Sequence, residues 1–209
     1  IVSGYEEARL IYLGVLQSLD IYNKKILLID IGGGSTEFLI GEKGEVKIAN
    51  SLKLGAVRLT NKFSLNEKVN KSDLKNSRIF VKGALNQIVR TLEGNDYELV
   101  VGSSGTINNI GSIISAENQP TADFEINLNG FIIKKKPIHT AVEKIYEAET
   151  LAERLSIPGL DPKRADIITA GAVILEQIFS DLKIEKMTLS SFALREGIIM
   201  NYIQQRSGE

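Results

Sequence analysis

Residues 29–37 read Ile-Asp-Ile-Gly-Gly-Gly-Ser-Thr-Glu, and the reading of the whole chain turns on them. The aliphatic run Ile26 to Ile29 leads into Asp30. Three glycines then precede Ser35, Thr36 and Glu37. A continuous apolar run bounded by glycine is the pattern of a buried strand. Three consecutive glycines strip every Cβ from the turn that follows, so backbone N–H groups can approach an anion closely. Ser35 and Thr36 add hydroxyl donors. Asp30 and Glu37 are acceptor-only when ionised, which suits a hydrated metal ion or a water that must lose a proton. Phosphate donors between two carboxylates are what metal-assisted phosphate hydrolysis requires. The plain alternative is a glycine-rich hairpin turn with no ligand, and the flanking acids and hydroxyls tell against it.

The chain has 209 residues, enough to bury a substantial core in one large domain or two small ones. Its 43% apolar and 24% charged residues are ordinary for a globular protein. No apolar run is long enough to span a membrane, so no membrane partner is expected. There is no cysteine, which excludes disulfides, Cys-zinc sites and cysteine nucleophiles and fits a cytoplasmic setting. The net charge is −1, so any positive potential for a polyphosphate or nucleotide must be local, and no nucleic-acid partner is expected. His139 is the only histidine, which rules out a multi-histidine metal site and tells against a histidine-based triad.

Capping-box spacing of Ser3 and Glu6 predicts a helix over 3–18. Strands follow at 26–30, 36–41 and 45–54, the last two joined through Gly41-Glu42-Lys43-Gly44. A long helix is expected at 71–93, stopped by Gly94-Asn95-Asp96. A fourth strand, Glu98 to Val101, runs into Gly102-Ser103-Ser104-Gly105-Thr106 and a helix to Ser115. Residues 116–131 read as an irregular surface stretch with a short strand. Helices at 137–155 and from Pro162, a fifth strand at 186–190 and a helix at 193–204 complete the order. A hairpin followed by helix-separated strands predicts a five-stranded mixed sheet with helices on both faces. Ligands on such α/β sheets collect at strand ends where loops diverge.

The turn Gly102 to Thr106 follows a strand and opens a helix, where N–H groups favour anions. A simple capped turn is the alternative. Arg164, Asp166 and Gly171 read as helix packing with an ion pair, and Arg195-Glu196-Gly197 as a surface or interhelix salt bridge. His139 reads as a capping or surface residue, and Lys134-Lys135-Lys136 as a solvated charge run. Glu6 and Glu7 read as helix-start acids favoured by the dipole.

Together these segments resemble the exopolyphosphatase/guanosine pentaphosphate phosphohydrolase family, Ppx/GppA. The matching stretches are Ser3-Gly4-Tyr5-Glu6-Glu7-Ala8-Arg9-Leu10, residues 29–37, Gly102 to Thr106, Arg164-Ala165-Asp166-Ile167-Ile168 with Gly171-Ala172, and Leu194-Arg195-Glu196-Gly197, in family order. The resemblance implies a ribonuclease H-like fold of the actin-like ATPase superfamily. It implies release of orthophosphate from polyphosphate ends or from guanosine pentaphosphate. It implies that Glu7 activates the attacking water and that Asp30 and Glu37 hold Mg²⁺ or position that water. Gly32, Gly33, Gly34 and Ser35 correspond to the phosphate loop, and Gly105 and Thr106 to a further turn lining the cleft. Backbone donors and a metal neutralise charge, and a carboxylate on water supplies the nucleophile, so neither histidine nor cysteine is required.

Nothing here matches the amino-terminal half of family members, which carries its own actin-like domain and a first phosphate loop. Residues 1–209 are therefore expected to be a second domain, with the missing amino-terminal domain as a partner across the cleft. A homodimer is a further expectation, because family members are often dimers. Two other readings stay open: a nucleoside triphosphate diphosphohydrolase with a similar glycine loop, and a module that binds phosphate, polyphosphate or a guanosine polyphosphate without turnover.

Overall fold

The computed structural model describes residues 3–118 and 127–207. The elements run α1 (Gly4–Ser18), β1 (Ile26–Ile31), β2 (Thr36–Glu42), β3 (Glu45–Leu52), α2 (Ala56–Phe63), α3 (Lys71–Leu92), β4 (Leu99–Ser103) and α4 (Gly105–Asn118). Then come β5 (Ile132–Lys134), α5 (Lys135–Glu147), α6 (Leu151–Leu155), a 3₁₀ turn at Pro162–Arg164, α7 (Ile168–Asp181), β6 (Lys186–Leu189) and α8 (Leu194–Ser207). The strands form one sheet in the order β3-β2-β1-β4-β6-β5. The pairs β1–β4 and β4–β6 are parallel, and the others are antiparallel.

Every residue of β1 is buried, Asp30 included, as the apolar run Ile26 to Ile29 requires of a strand covered on both faces. Leu27, Ile29 and Ile31 enter the larger core with α3, α4, α5 and α7. Ile26 and Leu28 enter a smaller core with Ala8, Ile11, Tyr12 and Val15 of α1. Asp30 shares the parity of Ile26 and Leu28, so it lies on the α1 face. Helix α7 is apolar almost all round and runs through the middle of the larger core. Helices α1 and α8 cross closely at two glycines: a Cβ on Gly197 would stand 1.7 Å from the Leu10 carbonyl oxygen, and one on Gly14 2.2 Å from that of Ala193. Among the described residues no helix is long and apolar enough to cross a membrane.

The sheet has six strands, not the expected five. The extra one, β5, is three residues long and exposed on both sides of Ile133, and it runs straight into the lysine run, so it carries almost no strand pattern. The irregular stretch expected at 116–131 falls mostly on residues 119–126, outside the described residues, and residues 116–118 complete α4. Helix α2 was not expected, because its eight residues are too few for a clear period. The helix expected over 137–155 is broken at Ala148–Thr150. There the carbonyls of Ala148 and Glu149 accept from the Arg154 guanidinium instead of continuing the helix. The Glu149 carbonyl also accepts from the Val69 N–H, and Thr150 starts α6 with a capping box to Glu153. At the start of α1 the Ser3 hydroxyl accepts from the Glu6 N–H, but the Glu6 carboxylate turns to Arg9, so only half of the expected box forms.

Candidate functional site

Strand register builds a polar row across four strands on the α1 face. Asp30 on β1 is paired with Glu37 on β2, Glu37 with Ser51 on β3, and Asp30 with Ser103 on β4. Directly paired residues point to the same face, so the row reads hydroxyl, carboxylate, carboxylate, hydroxyl. The Ser103 hydroxyl donates to Asp30 Oδ2 at 2.5 Å, and the Ser51 hydroxyl to Glu37 Oε1 at 2.9 Å. Asp30 and Glu37 are both buried.

Burial pushes the Asp30 carboxyl up to about 6. The Ser103 hydroxyl pulls against it, Glu7 adds to the rise, and Arg164 partly offsets it. Burial likewise raises Glu37 to about 7. The Ser35 and Ser51 hydroxyls favour its charged form, while Glu7 and Asp30 disfavour it. Two neighbouring acids without a strong cationic partner hold protons in the neutral range.

The loop between β1 and β2 has all three glycine carbonyls occupied. The Gly32 carbonyl accepts from the Ala56 N–H at 2.9 Å, that of Gly33 from the Arg58 N–H at 3.0 Å, and that of Gly34 from Arg58 Nε at 2.9 Å. The loop thus spends these acceptors on α2, and the Gly32 N–H is itself taken by the Ser35 carbonyl at 2.9 Å, so what it can offer a ligand is the N–H donors beyond Gly32. Gly55 makes this docking possible: a Cβ there would stand 2.5 Å from the carbonyl carbon and oxygen of Gly33.

The second turn joins β4 to α4. Ser104 has φ 99°, a conformation that side-chain-bearing residues rarely adopt, and its hydroxyl accepts from the Ile107 N–H at 3.3 Å as a helix cap. The Arg164 guanidinium lies on Gly105, so closely that a Cβ there would fall 1.8 Å from Nη2. Gly171 of α7 makes room in the same way for the Thr106 side chain.

These parts meet in a cleft of about 250 Å³ at the carboxyl ends of β1 and β4. Its walls include Glu7, Asp30, Gly32, Gly33, Ser104, Gly105, Thr106 and Arg164, with Ile11, Ile167 and Leu194 as apolar backing. The structure therefore brings Glu7, Asp30, Gly32, Gly33, Gly105 and Thr106 together. Glu37 sits behind Asp30 and does not reach the cleft wall. Gly34 and Ser35 also lie off it, Gly34 lining a second cavity.

The residue that sequence reasoning misplaced is Arg164. It was expected in a packing ion pair, yet among the described residues its side chain makes none, and it faces the cleft. The proline-led turn Pro162–Arg164 holds it there, and no local pattern marks that destination. Arg195 and Glu196 do pair, at 2.8 Å, but within one helix, and Glu196 also accepts from the Ala193 N–H. His139 is exposed, with Nδ1 3.6 Å from Glu176 Oε1.

The donor set fits a hard divalent cation. Asp30 and Glu37 offer oxygen only; Asp30 accepts from the Ser103 hydroxyl and Glu37 from those of Ser51 and Ser35, which leaves acceptor capacity free. Glu7, Asp30 and Glu37 do not close on one point. Among the described residues, the trio of potential ligands whose donor atoms approach within 4.8 Å is His139, Glu143 and Glu176. A cation at Asp30 would thus keep water or phosphate oxygens in its shell, as Mg²⁺ prefers.

A sequence profile of the Ppx/GppA phosphatase family matches residues 1–206. The chain belongs to that family. Within the Ppx/GppA family, a Vibrio cholerae serotype O1 protein named guanosine-5'-triphosphate,3'-diphosphate pyrophosphatase is 33% identical over 207 residues, covering 98% of this chain and 39% of that protein. An exopolyphosphatase structure from Cytophaga hutchinsonii superposes with a TM-score of 0.83 at 23% identity, over 98% of this chain and 65% of that one. A Ppx/GppA phosphatase from Aquifex aeolicus gives 0.79 at 24% identity, over 96% and 64%. These superpositions establish the actin-like Ppx/GppA fold.

Proposed function

We propose that this chain carries one wall of the active site of a phosphoanhydride hydrolase, releasing orthophosphate from inorganic polyphosphate or guanosine pentaphosphate. The observation that carries the reading is the placement of Glu7, Asp30 and Arg164 around one cleft floored by the glycine loop. Phosphoryl transfer asks mainly for charge neutralisation and in-line positioning. The Gly33 backbone N–H, the Thr106 hydroxyl and the Arg164 guanidinium serve the equatorial phosphate oxygens, while Gly32, tied to Ser35 and Ala56, shapes the loop. Glu7, at the first turn of α1, accepts a proton from the attacking water. Asp30 would hold Mg²⁺ at the cleft, with the Glu37 carboxylate behind it adding negative charge, and the bound ion would supply positive charge to the phosphoryl group. The part of a longer relative outside the match would supply the opposite wall.

The test is orthophosphate release from long-chain polyphosphate with Mg²⁺, by this chain and by its Glu7→Ala variant. Release by the parent and not the variant supports the assignment. Equal release by both removes Glu7 from the chemistry. Phosphate binding without turnover, even when the chain is joined to the rest of a longer relative, moves the reading to a binding module.

A further inference from the structure

The glycine loop has two open sides, and the proposed function uses one. On the other lies a second, wider cavity of about 590 Å³, lined by Gly33, Gly34, Val57, Arg58 and Asn61. Gly33 belongs to both cavities. Their chemistry differs. The first holds Glu7 and Asp30 with Arg164, whereas the second has a guanidinium and an amide and no carboxylate in its wall. The first suits an anion accompanied by a metal cation, and the second an anion held by the protein alone.

Arg58 is set up for that task. Its Nε donates to the Gly34 carbonyl at 2.9 Å, which fixes the guanidinium plane at the rim of the loop and leaves both terminal amino groups available. Among the described residues no carboxylate pairs with it. A fixed guanidinium with two free amino groups matches the edge of a phosphate. Space is open as well, since a Cβ on Gly34 would meet nothing within 4 Å.

We infer that the loop holds two successive phosphoryl groups of a linear phosphate chain, the reacting one on the Asp30 side and the next against Arg58. This rests on the proposed function. The phosphoryl chain has two possible sources, an inorganic polyphosphate or the phosphate tail of a nucleotide.

Calorimetric titrations with Mg²⁺ present, using orthophosphate, tripolyphosphate and guanosine triphosphate, test it. Tripolyphosphate should bind more tightly than orthophosphate. Arg58→Gln should weaken tripolyphosphate by about tenfold more than orthophosphate, the loss of one charged hydrogen-bonding group. Asn61→Asp, which adds a carboxylate without touching the loop's hydrogen bonds, should do the same in smaller measure. An equal loss for guanosine triphosphate and tripolyphosphate supports a subsite for the phosphoryl chain whatever its source. A loss confined to the nucleotide overturns the inference in favour of a base-binding cavity. Equal weakening of orthophosphate and tripolyphosphate by Arg58→Gln, with Asn61→Asp silent, overturns it too, because Arg58 then only shapes the loop. If the parent chain binds orthophosphate and tripolyphosphate equally, this inference falls and the proposed function stands. If it binds neither, both fall.

Discussion

Arg154 and the Asp30–Glu37 pair are all buried ionisable groups, and the molecule treats them in opposite ways. Arg154 has no exposed surface, yet its guanidinium meets five backbone carbonyls: Ala165 from Nε, Ala148 and Glu149 from Nη1, Asn66 and Glu67 from Nη2. A guanidinium carries five N–H donors, so the set is complete. Asp30 and Glu37 are buried too, but Asp30 has one hydroxyl partner, Glu37 has two, and each has a like-charged neighbour. A buried charge with a full set of partners is a clamp. Buried acids with too few are held ready for something that arrives later.

The largest effect should come from breaking the clamp. Arg154 ties the α2–α3 linker, the break between α5 and α6, and the residue next to Arg164 into one knot. Arg154→Ala would strand carbonyls from three segments, and removing one side of such a buried charged network costs about 3–5 kcal/mol. A urea titration should show it as a lowered midpoint, with Arg154→Lys in between because it keeps the charge and only three donors. A loss below about 1 kcal/mol would mean that water takes over the carbonyls and that Arg154 is no clamp.

Neutralising the carboxylates should move stability the other way. Their folded values, about 6 for Asp30 and about 7 for Glu37, lie above their ordinary values of 3.8 and 4.5. Between those limits the folded state holds more protons than the unfolded one. The stability these groups contribute is therefore complete below about pH 4 and is lost as pH rises through about 6 and 7. Asp30→Asn or Glu37→Gln should stabilise the chain at pH 8 by about 1–3 kcal/mol, and the gain should vanish near pH 4. Melting curves across that range check the sign. Mg²⁺ at pH 8 should raise the melting temperature of the parent and not of Asp30→Asn, because a ligand of the folded state stabilises it by mass action. A flat pH dependence in the parent would erase the contrast with Arg154.

The same contrast explains what was legible beforehand. The Asp30–Glu37 end of the site could be read because its pieces are consecutive: an apolar strand, three glycines, and a strand whose partner register follows from the loop between them. The Glu42–Glu45 hairpin was equally local, with Lys43 and Gly44 both at positive φ as a two-residue turn requires. Glu7 became a candidate only through family resemblance, since its residue pattern allowed no more than a helix-start acid. Arg164, Arg58 and Arg154 were not legible. Each takes its role from backbone many residues away: Gly105 for the first, Gly34 for the second, Asn66 and Glu67 for the third. A strand's period announces its own burial, but nothing in a sequence announces which carbonyl a guanidinium will find.

The smallest effect applies the same logic to backbone strain. Ser104 holds φ 99° at the rim of the cleft and gives only a long cap to Ile107, 3.3 Å. Ser104→Gly relieves strain worth about 1 kcal/mol or more. It loosens the unfolded chain by about 0.5–1 kcal/mol, and the lost cap costs a few tenths. The terms nearly cancel, so stability should shift by less than about 1 kcal/mol. Ser104→Ala keeps the strain and loses the cap, so it should be the less stable of the two variants by about 1 kcal/mol. Phosphate binding should separate the roles differently. Glycine frees the turn that presents Gly105 and Thr106 and should weaken binding several-fold, while alanine leaves that turn in place. Denaturant midpoints set beside phosphate titrations of the two variants decide it. If glycine improves both stability and binding, the strained serine is not holding the turn for a ligand, and the resemblance to the under-partnered carboxylates fails at this position.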